Sequence, residues 1–517
     1  MSSRRRDVHA FRAIAAGLAL SLAIAGLPGC ATTQSQQQVE SAATTSSAQE
    51  TGSTDAQALT KELLSSRDLD ASYDASAATT IALSDAGSQV SGNGVTVDGS
   101  AVTINEEGTY VVTGALADGR LVVDAGDSAK VQLVLAGASI QTSGPTALYV
   151  RSAKKVFLTL ADGTSSTLTA AGTEADEDEH TLDGAIWSHE KLTINGTGSL
   201  AVSSASGHGI VAKDDLALVS GSVSSAAAID AIQAKGALVI ADGTYELTCG
   251  DDGAHSDADL YLLGGTVNVA QSCEGLEGTT VTIAGGTSTI CSSDDGINAS
   301  GTSDESDAAA AQGDQPGAME DYDETAQVTI TGGHTEISAG GDGIDSNGDL
   351  TISGGETYVS GPTQDGDGAL DYAGTGTITG GVLMASGSTG MAQGLGDGST
   401  QPSMLVSLSG SAGDTIALNT TDGETLASYT PSKSFSCVVI STPALEQGSS
   451  YTVSAGASTT TVALDSLIYS DVSTGAGQDT PQLQAPGDDR GPSDTGAPQE
   501  TAPDQGSEPP TGSSPRS

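Results

Sequence analysis

Two acidic pairs, Asp251-Asp252 and Asp294-Asp295, enclose a segment that carries Glu274 and Glu277. Asp257 follows the first pair and Asn298 the second. Further on stand Asp342, Asp345, Asp367 and Asp371. Carboxylate and amide oxygens are hard donors, and several converging on one point suit Ca²⁺, which takes about six to eight oxygen ligands. A single Asp-Gly is an ordinary turn dipeptide. The chemistry therefore depends on whether the chain gathers these acids.

Spacing says that it does. A polar, small, apolar triplet recurs at Asp183-Gly184-Ala185, His208-Gly209-Ile210, Asp230-Ala231-Ile232 and Asp252-Gly253-Ala254. It continues at Glu274-Gly275-Leu276, Asp295-Gly296-Ile297, Asp342-Gly343-Ile344 and Asp367-Gly368-Ala369. Successive steps are 25, 22, 22, 22, 21, 47 and 25 residues. The step of 47 contains an acidic, Ala-rich insertion, 301–325, whose removal restores the period. Between triplets lie short alternating runs such as Val281-Thr282-Ile283 and Leu350-Thr351-Ile352, then glycine pairs such as Gly285-Gly286 and Gly354-Gly355. Alternation with β-branched residues reads as strand, and paired glycines read as tight turns.

Strands of about four residues recurring every 22 or so, with no helix between them, predict an all-β chain folded as a parallel β-helix. A propeller would need blades of about 40 residues. The helix is placed over 67–400, and a small C-terminal β cap over 401–470, since a stack must be closed at its end. Equivalent positions of adjacent coils then lie about 4.8 Å apart, which puts Asp230, Asp252, Glu274, Asp295, Asp342 and Asp367 in one column. Acids at that spacing repel by roughly 1 kcal/mol per pair in water, and more where water is excluded. Lysine or arginine would relieve them, yet neither occurs from 236 through 432. Ca²⁺ is the expected counter-charge. Asp183 and Asp230 read instead as structural turn residues. Asp304, Glu305, Asp307 and Asp314 read as a solvated loop.

Composition sets the partners. With 66 acidic and 17 basic residues the net charge is −49, which excludes nucleic acid, whose phosphates require a cationic surface. Residues 1–30 combine Arg4, Arg5 and Arg6 with an apolar run and Leu27-Pro28-Gly29-Cys30, an export signal. Leu27 to Cys30 resembles a lipoprotein processing site, which makes Cys30 the expected lipidation site and membrane anchor of a cell-surface protein. Plain secretion is the alternative. Segment 31–66 reads as a disordered linker and 471–517 as a disordered acidic tail.

Other side chains read as scaffold. His208 and His255 are taken as surface turn residues, lacking a nucleophile at a suggestive spacing. Cys249, Cys273 and Cys291 lie in three consecutive coils; a bridge from Cys273 to either neighbour and buried thiols are both open. Trp187, Tyr245, Tyr261, Tyr358 and Tyr372 could line a sugar groove, although packing is the plainer use.

The stretches Cys249-Gly-Asp-Asp-Gly-Ala-His-Ser-Asp257, Glu274-Gly-Leu-Glu-Gly278 and Ser293-Asp-Asp-Gly-Ile-Asn-Ala299 closely resemble a bacterial family. It comprises cell-surface carbohydrate-binding proteins first recognised in cellulose-degrading clostridia, similar in fold to polysaccharide lyases. Asp367-Gly-Ala-Leu-Asp371, Met391-Ala-Gln393 and Thr430-Pro-Ser-Lys-Ser-Phe435 match as well. The resemblance implies a right-handed parallel β-helix that binds Ca²⁺ and an acidic polysaccharide such as polygalacturonate, without established catalysis. It carries the Ca²⁺ role onto Asp251, Asp252, Glu274, Glu277, Asp294, Asp295 and Asn298. Ala254 and His255 depart from the family pattern, as does the insertion.

The expected function is thus non-catalytic, Ca²⁺-mediated binding of acidic, pectin-like polysaccharide at the cell surface. The alternatives are a Ca²⁺-dependent polysaccharide lyase, against which the lack of Lys and Arg from 236 through 432 argues although Lys213, Lys235 and the more distant Arg151 could project from other coils, and an adhesin or spacer stapled by Ca²⁺.

Overall fold

Parallel hydrogen bonding between successive turns organises the chain. The computed structural model describes residues 46–172, 174–175, 181–302 and 322–472. The segment read as an export signal, with Cys30, most of the insertion and nearly all of the segment read as a tail lie outside the described residues. Gly184–Ser188, His208–Ala212, Ile232–Ala234, Ala254–Leu262, Leu276–Ile283, Ile297–Ala299 and Ile344–Ser346 form one parallel stack. A second runs through Leu192–Gly196, Leu216–Leu218 and Leu238–Ile240, and a third through Ser199–Ser204, Ser222–Ala227, Thr244–Thr248 and onward to Val382–Gly387. About ten turns result. The chain is a parallel β-helix.

The repeat's apolar residue builds the core. Ile186, Ile210, Ile232, Ala254, Leu276, Ile297 and Ile344 pair in register and are wholly buried. Each aliphatic side chain is covered by its counterparts above and below, so a coil gains its apolar burial only by stacking. At the second glycine of each pair the chain turns sharply: Gly286 has φ of 80°, and a Cβ there would sit 2.8 Å from the Gly264 carbonyl carbon. Only glycine fits both demands.

Polar columns run beside the core. The Asp252 N–H donates to Asp230 Oδ1 at 3.2 Å, and the Asp342 N–H to Asp295 Oδ1 at 2.6 Å. Each of these carboxylates satisfies a backbone donor of the next turn. The triplet alignment slips at its two ends. Gly184, not Asp183, pairs with His208, and the Gly343 N–H donates to the carbonyl of Gly368, not Asp367. The longer 25-residue steps contain the extra residue responsible.

One expectation is corrected and one open alternative is decided. Within 31–66, taken as disordered linker, Ser46–Leu63 forms a helix. Its Ala56, together with Leu64 just beyond it, packs against Ala217, Val219, Val239, Leu263 and Ala284 on the outside of the second stack. Tertiary burial overrides a weakly helical composition. The Cys273 bridge does not form, because Cys249 and Cys273 are free thiols. Cys249 is wholly buried, its thiol donating to the carbonyls of Asp251 and Gln271. Past the helix a strap follows, where Asp68 meets Lys155 Nζ at 2.5 Å and accepts from the Thr193 hydroxyl at 2.6 Å.

From Ser403 the pairing turns mostly antiparallel, Ser403–Gly410 keeping one parallel neighbour in Ile468–Ser470. Phe435–Ser441 lies between Val382–Gly387 and Ser403–Gly410, and a four-stranded antiparallel sheet, Ile416–Thr420, Thr425–Tyr429, Ser450–Ala455 and Ser458–Ala463, shares a second apolar core with these three strands. This element ends the stack. The loop Thr430 to Phe435 ties it to the helix: the Ser432 N–H donates to Ser360 Oγ at 2.8 Å, and Lys433 Nζ donates to the Ala339 carbonyl.

Candidate metal centre

On the outward face of the first stack, strand register makes one column of Tyr149, Trp187, Val211, Gln233, His255, Glu277, Asn298 and Asp345. Asp371 extends it, since the Ser346 N–H donates to the Asp371 carbonyl and the Asp371 N–H to that of Ile344. The column changes character along its length. Its first members are aromatic or apolar and its later members, His255 apart, carry side-chain oxygen.

The acids converge where this column meets the turn column. Ligand atoms of Asp252, Glu274 and Glu277 all lie within 4.8 Å of one another, as do those of Asp230, Asp252 and His255. Asp252 is buried, and Glu274 and Glu277 are partly so. Burial, and then the charge of Glu277, pushes the Glu274 carboxyl up to about 8. Burial likewise raises Asp252 to about 7. Carboxylates gathered out of water hold protons unless a cation compensates them.

His255 is that cation here, and sequence reasoning missed it. Its Nδ1 stands 2.8 Å from Asp252 Oδ2 and 2.6 Å from Glu277 Oε2, while Nε2 stands 3.1 Å from Asp257 Oδ1. Burial works against the charge, yet the hydrogen bonds to Asp252, Asp257 and Glu277 push the imidazole up to about 12. Aligning the chain on its 22-residue period would have set His255 beside Glu277 and exposed the pairing.

The remaining acids divide. Asp257 also meets Lys235 Nζ at 2.5 Å, and these two cations hold its carboxyl below the usual range against the effect of burial. Asp295 and Asp342 accept backbone N–H groups of the following turns, and burial pushes Asp342 up to about 8. Asp371 accepts from Gln393 Nε2 at 2.9 Å. Asp251 and Asp294 are exposed at the rim, Asp345 is buried in the column, and Asp367 accepts from Gln364.

The donor set fits a hard cation. Asp252, Glu274 and Glu277 offer oxygens from two successive turns, and Asn298 from the turn after. Asn298 donates its amide N–H to Glu274 Oε2 at 3.0 Å, which leaves Oδ1 buried with no hydrogen-bond partner. Gln233 Oε1, in the same column, is likewise buried and unsatisfied. Buried acceptors without donors are uncommon, and a cation would satisfy them.

The chain is similar in part to known proteins. A family model described as carbohydrate-binding domain-containing protein matches residues 98–368. A curated carbohydrate-binding domain-containing protein of Acetivibrio thermocellus is 33% identical over 133 residues, covering 25% of this chain and 46% of the relative. The chain thus spans under half the length of that relative. A solved structure of the polysaccharide lyase-like protein from C. thermocellum, a gadolinium derivative, aligns with 58% of this chain and 97% of its own at 24% identity and a TM-score of 0.34.

Proposed function

This chain belongs to the family of carbohydrate-binding domain-containing proteins, and from that premise we propose a non-catalytic protein that binds acidic, polygalacturonate-like polysaccharide through Ca²⁺. One observation carries the reading: Asp252, Glu274 and Glu277 bring their oxygens within 4.8 Å of one another beside the unsatisfied Asn298 Oδ1. A chain of net charge −49 repels a polyanion unless a cation stands between them. Asp252, Glu274, Glu277 and Asn298 would hold the ion, which supplies the positive charge that uronate carboxylates need. Asp257, engaged by Lys235 and His255, orients the imidazolium at the edge of the cluster. An export signal and a lipid at Cys30 would place this face at the cell surface.

The test is retention of polygalacturonate by the full chain in Ca²⁺ and in chelator, against Glu274→Ala/Glu277→Ala. Wild type should retain the glycan far more strongly in Ca²⁺ than in chelator, and the double variant should lose that difference. Equal retention by the variant would overturn the reading.

A lyase is the second reading. Lys213 and Lys235 occupy the turns adjoining the cluster, and burial lowers the Lys213 ammonium, which suits a base. Release of unsaturated uronate, seen as ultraviolet absorbance, would establish it.

A further inference from the structure

A second column lies two residues beyond the aromatic and acidic one, on the same face. The His189 N–H donates to the Val150 carbonyl, the Lys213 N–H to that of Ser188, and the Lys235 N–H to that of Ala212. In a parallel ladder these bonds stack Arg151, His189, Lys213 and Lys235 one above another, about 4.8 Å per turn. Asp257 comes next and closes the series through its contact with Lys235. A ladder of basic side chains therefore runs along the axis and ends beside the acidic cluster.

Such a ladder is out of keeping with the rest of the chain. All nine lysines and arginines between 67 and 235 precede a stretch, 236–432, that has none. Stacked cations repel as stacked acids do; Asp124 and Asp257 offset the two ends of the column, while Asp183, Asp257 and Asp230 act on Lys213 only from beyond ion-pair distance. The side chains are also held in place. Arg151 lies over the Tyr149 ring at 5.4 Å, and Lys213 over Trp187 at 5.6 Å. His189 packs edge-on against Trp187 at 4.3 Å. Tyr149 and Trp187 are buried beneath them as a floor, so the charged ends project outward along aromatic surface. Arg151 pairs with Asp124 at 3.7 Å and Lys235 with Asp257 at 2.5 Å. No carboxylate among the described residues is within ion-pair reach of Lys213.

We propose that Arg151, His189, Lys213 and Lys235 form a metal-independent subsite for carboxylates of the same acidic polysaccharide, laid along the axis from the acidic cluster. The inference rests on the reading above and extends it. One basic side chain per turn matches an extended polyanion with a charge on every sugar, whereas a neutral glycan offers it nothing. The two ends would divide the work, with the metal gripping one segment of glycan and the ladder the next. Longer chains would then gain by spanning both.

The experiment measures retention of polygalacturonate and of its methyl ester by the full chain in Ca²⁺, over a range of NaCl. It compares wild type, Lys213→Gln, Lys213→Glu, Lys213→Arg and the Glu274→Ala/Glu277→Ala pair, with melting curves to verify folding. Lys213→Gln should weaken retention of the acid form about threefold and Lys213→Glu about tenfold. Lys213→Arg should restore it. The salt dependence should flatten in Lys213→Gln, and the methyl ester should not discriminate among these variants. Unchanged retention in Lys213→Glu overturns the ladder alone. Loss in Lys213→Glu with full retention in the Glu274/Glu277 pair upholds the ladder and overturns the Ca²⁺ reading. Failure of wild type to retain the acid form at any salt concentration overturns both.

Discussion

His255 Nδ1 stands between Asp252 Oδ2 and Glu277 Oε2, at 2.8 and 2.6 Å, so one imidazolium joins carboxylates of successive turns. Those two carboxylates belong to the group that would hold Ca²⁺. The histidine therefore acts on the same repulsion that a bound cation would relieve.

Replacing His255 with Ala should destabilise the protein in chelator. Removing one partner of a buried ion pair leaves its acids uncompensated, a loss on the order of 3 kcal/mol. Added Ca²⁺ should return most of it. Melting in chelator and in about millimolar Ca²⁺ measures both arms; a variant as stable as wild type in chelator would show that His255 does not hold the turns together.

Ca²⁺ should stabilise wild type and leave Glu274→Ala/Glu277→Ala unmoved. A ligand bound only to the folded state adds about 2.7 kcal/mol at 100 times its Kd. Calorimetric melting across a Ca²⁺ series distinguishes the two, and a shift of equal size in the variant would place the ion elsewhere.

Asp68→Ala should loosen the strap that follows the N-terminal helix. It strands Lys155 and removes the acceptor of Thr193, a cost of about 3–5 kcal/mol if the strap stays docked. Burial raises the Asp68 carboxyl, but hydrogen bonds from Lys155, Thr193 and Ser65 bring it below its usual value. A depressed carboxylate stabilises the fold above its unfolded pKa, about 3.9, and that stability is lost as pH falls through the lower folded value. Wild type and variant should thus differ at neutral pH and converge in acid, by melting and by proteolytic cutting within 54–70.

The third stack has an alkaline limit of its own. Hydrogen bonds to Glu336 and Glu356 push His334 up to about 9 against the effect of burial. A raised histidine stabilises the fold fully below its unfolded pKa, near 6.5, and that stability is lost as pH rises through about 9. His334 is over a third exposed, so His334→Gln should cost only a few tenths to about 1 kcal/mol near neutrality. The difference should vanish above pH 9. A gap that persists at pH 10 would assign the effect to packing against Tyr358 instead.

Much of this architecture was legible in the residues. The triplet's third position foretold the Ile210–Ile232–Ala254–Leu276 core, because burial on both sides demands an apolar residue once per turn. Ser46–Leu63 was not legible, since its order comes from a partner surface, Ala217 to Ala284, far along the chain. Within the site, type and spacing identified Asp252, Glu274 and Glu277. They could not tell which carboxylates already have partners: Asp295 and Asp342 accept backbone N–H groups, Asp257 meets Lys235, and Asp252 and Glu277 meet His255. His255 was taken for a turn residue because its partners lie in the adjacent strand register and in the turn before it.

The bond from the Asp342 N–H to Asp295 Oδ1 crosses 47 positions of sequence in a single step of the helix. The rod counts turns, not residues: whatever is threaded out between those two aspartates, the next rung lands where it would have landed without it. That junction is a natural port, where a foreign segment could be carried on the side of a binding rod without shifting the sites before or after it.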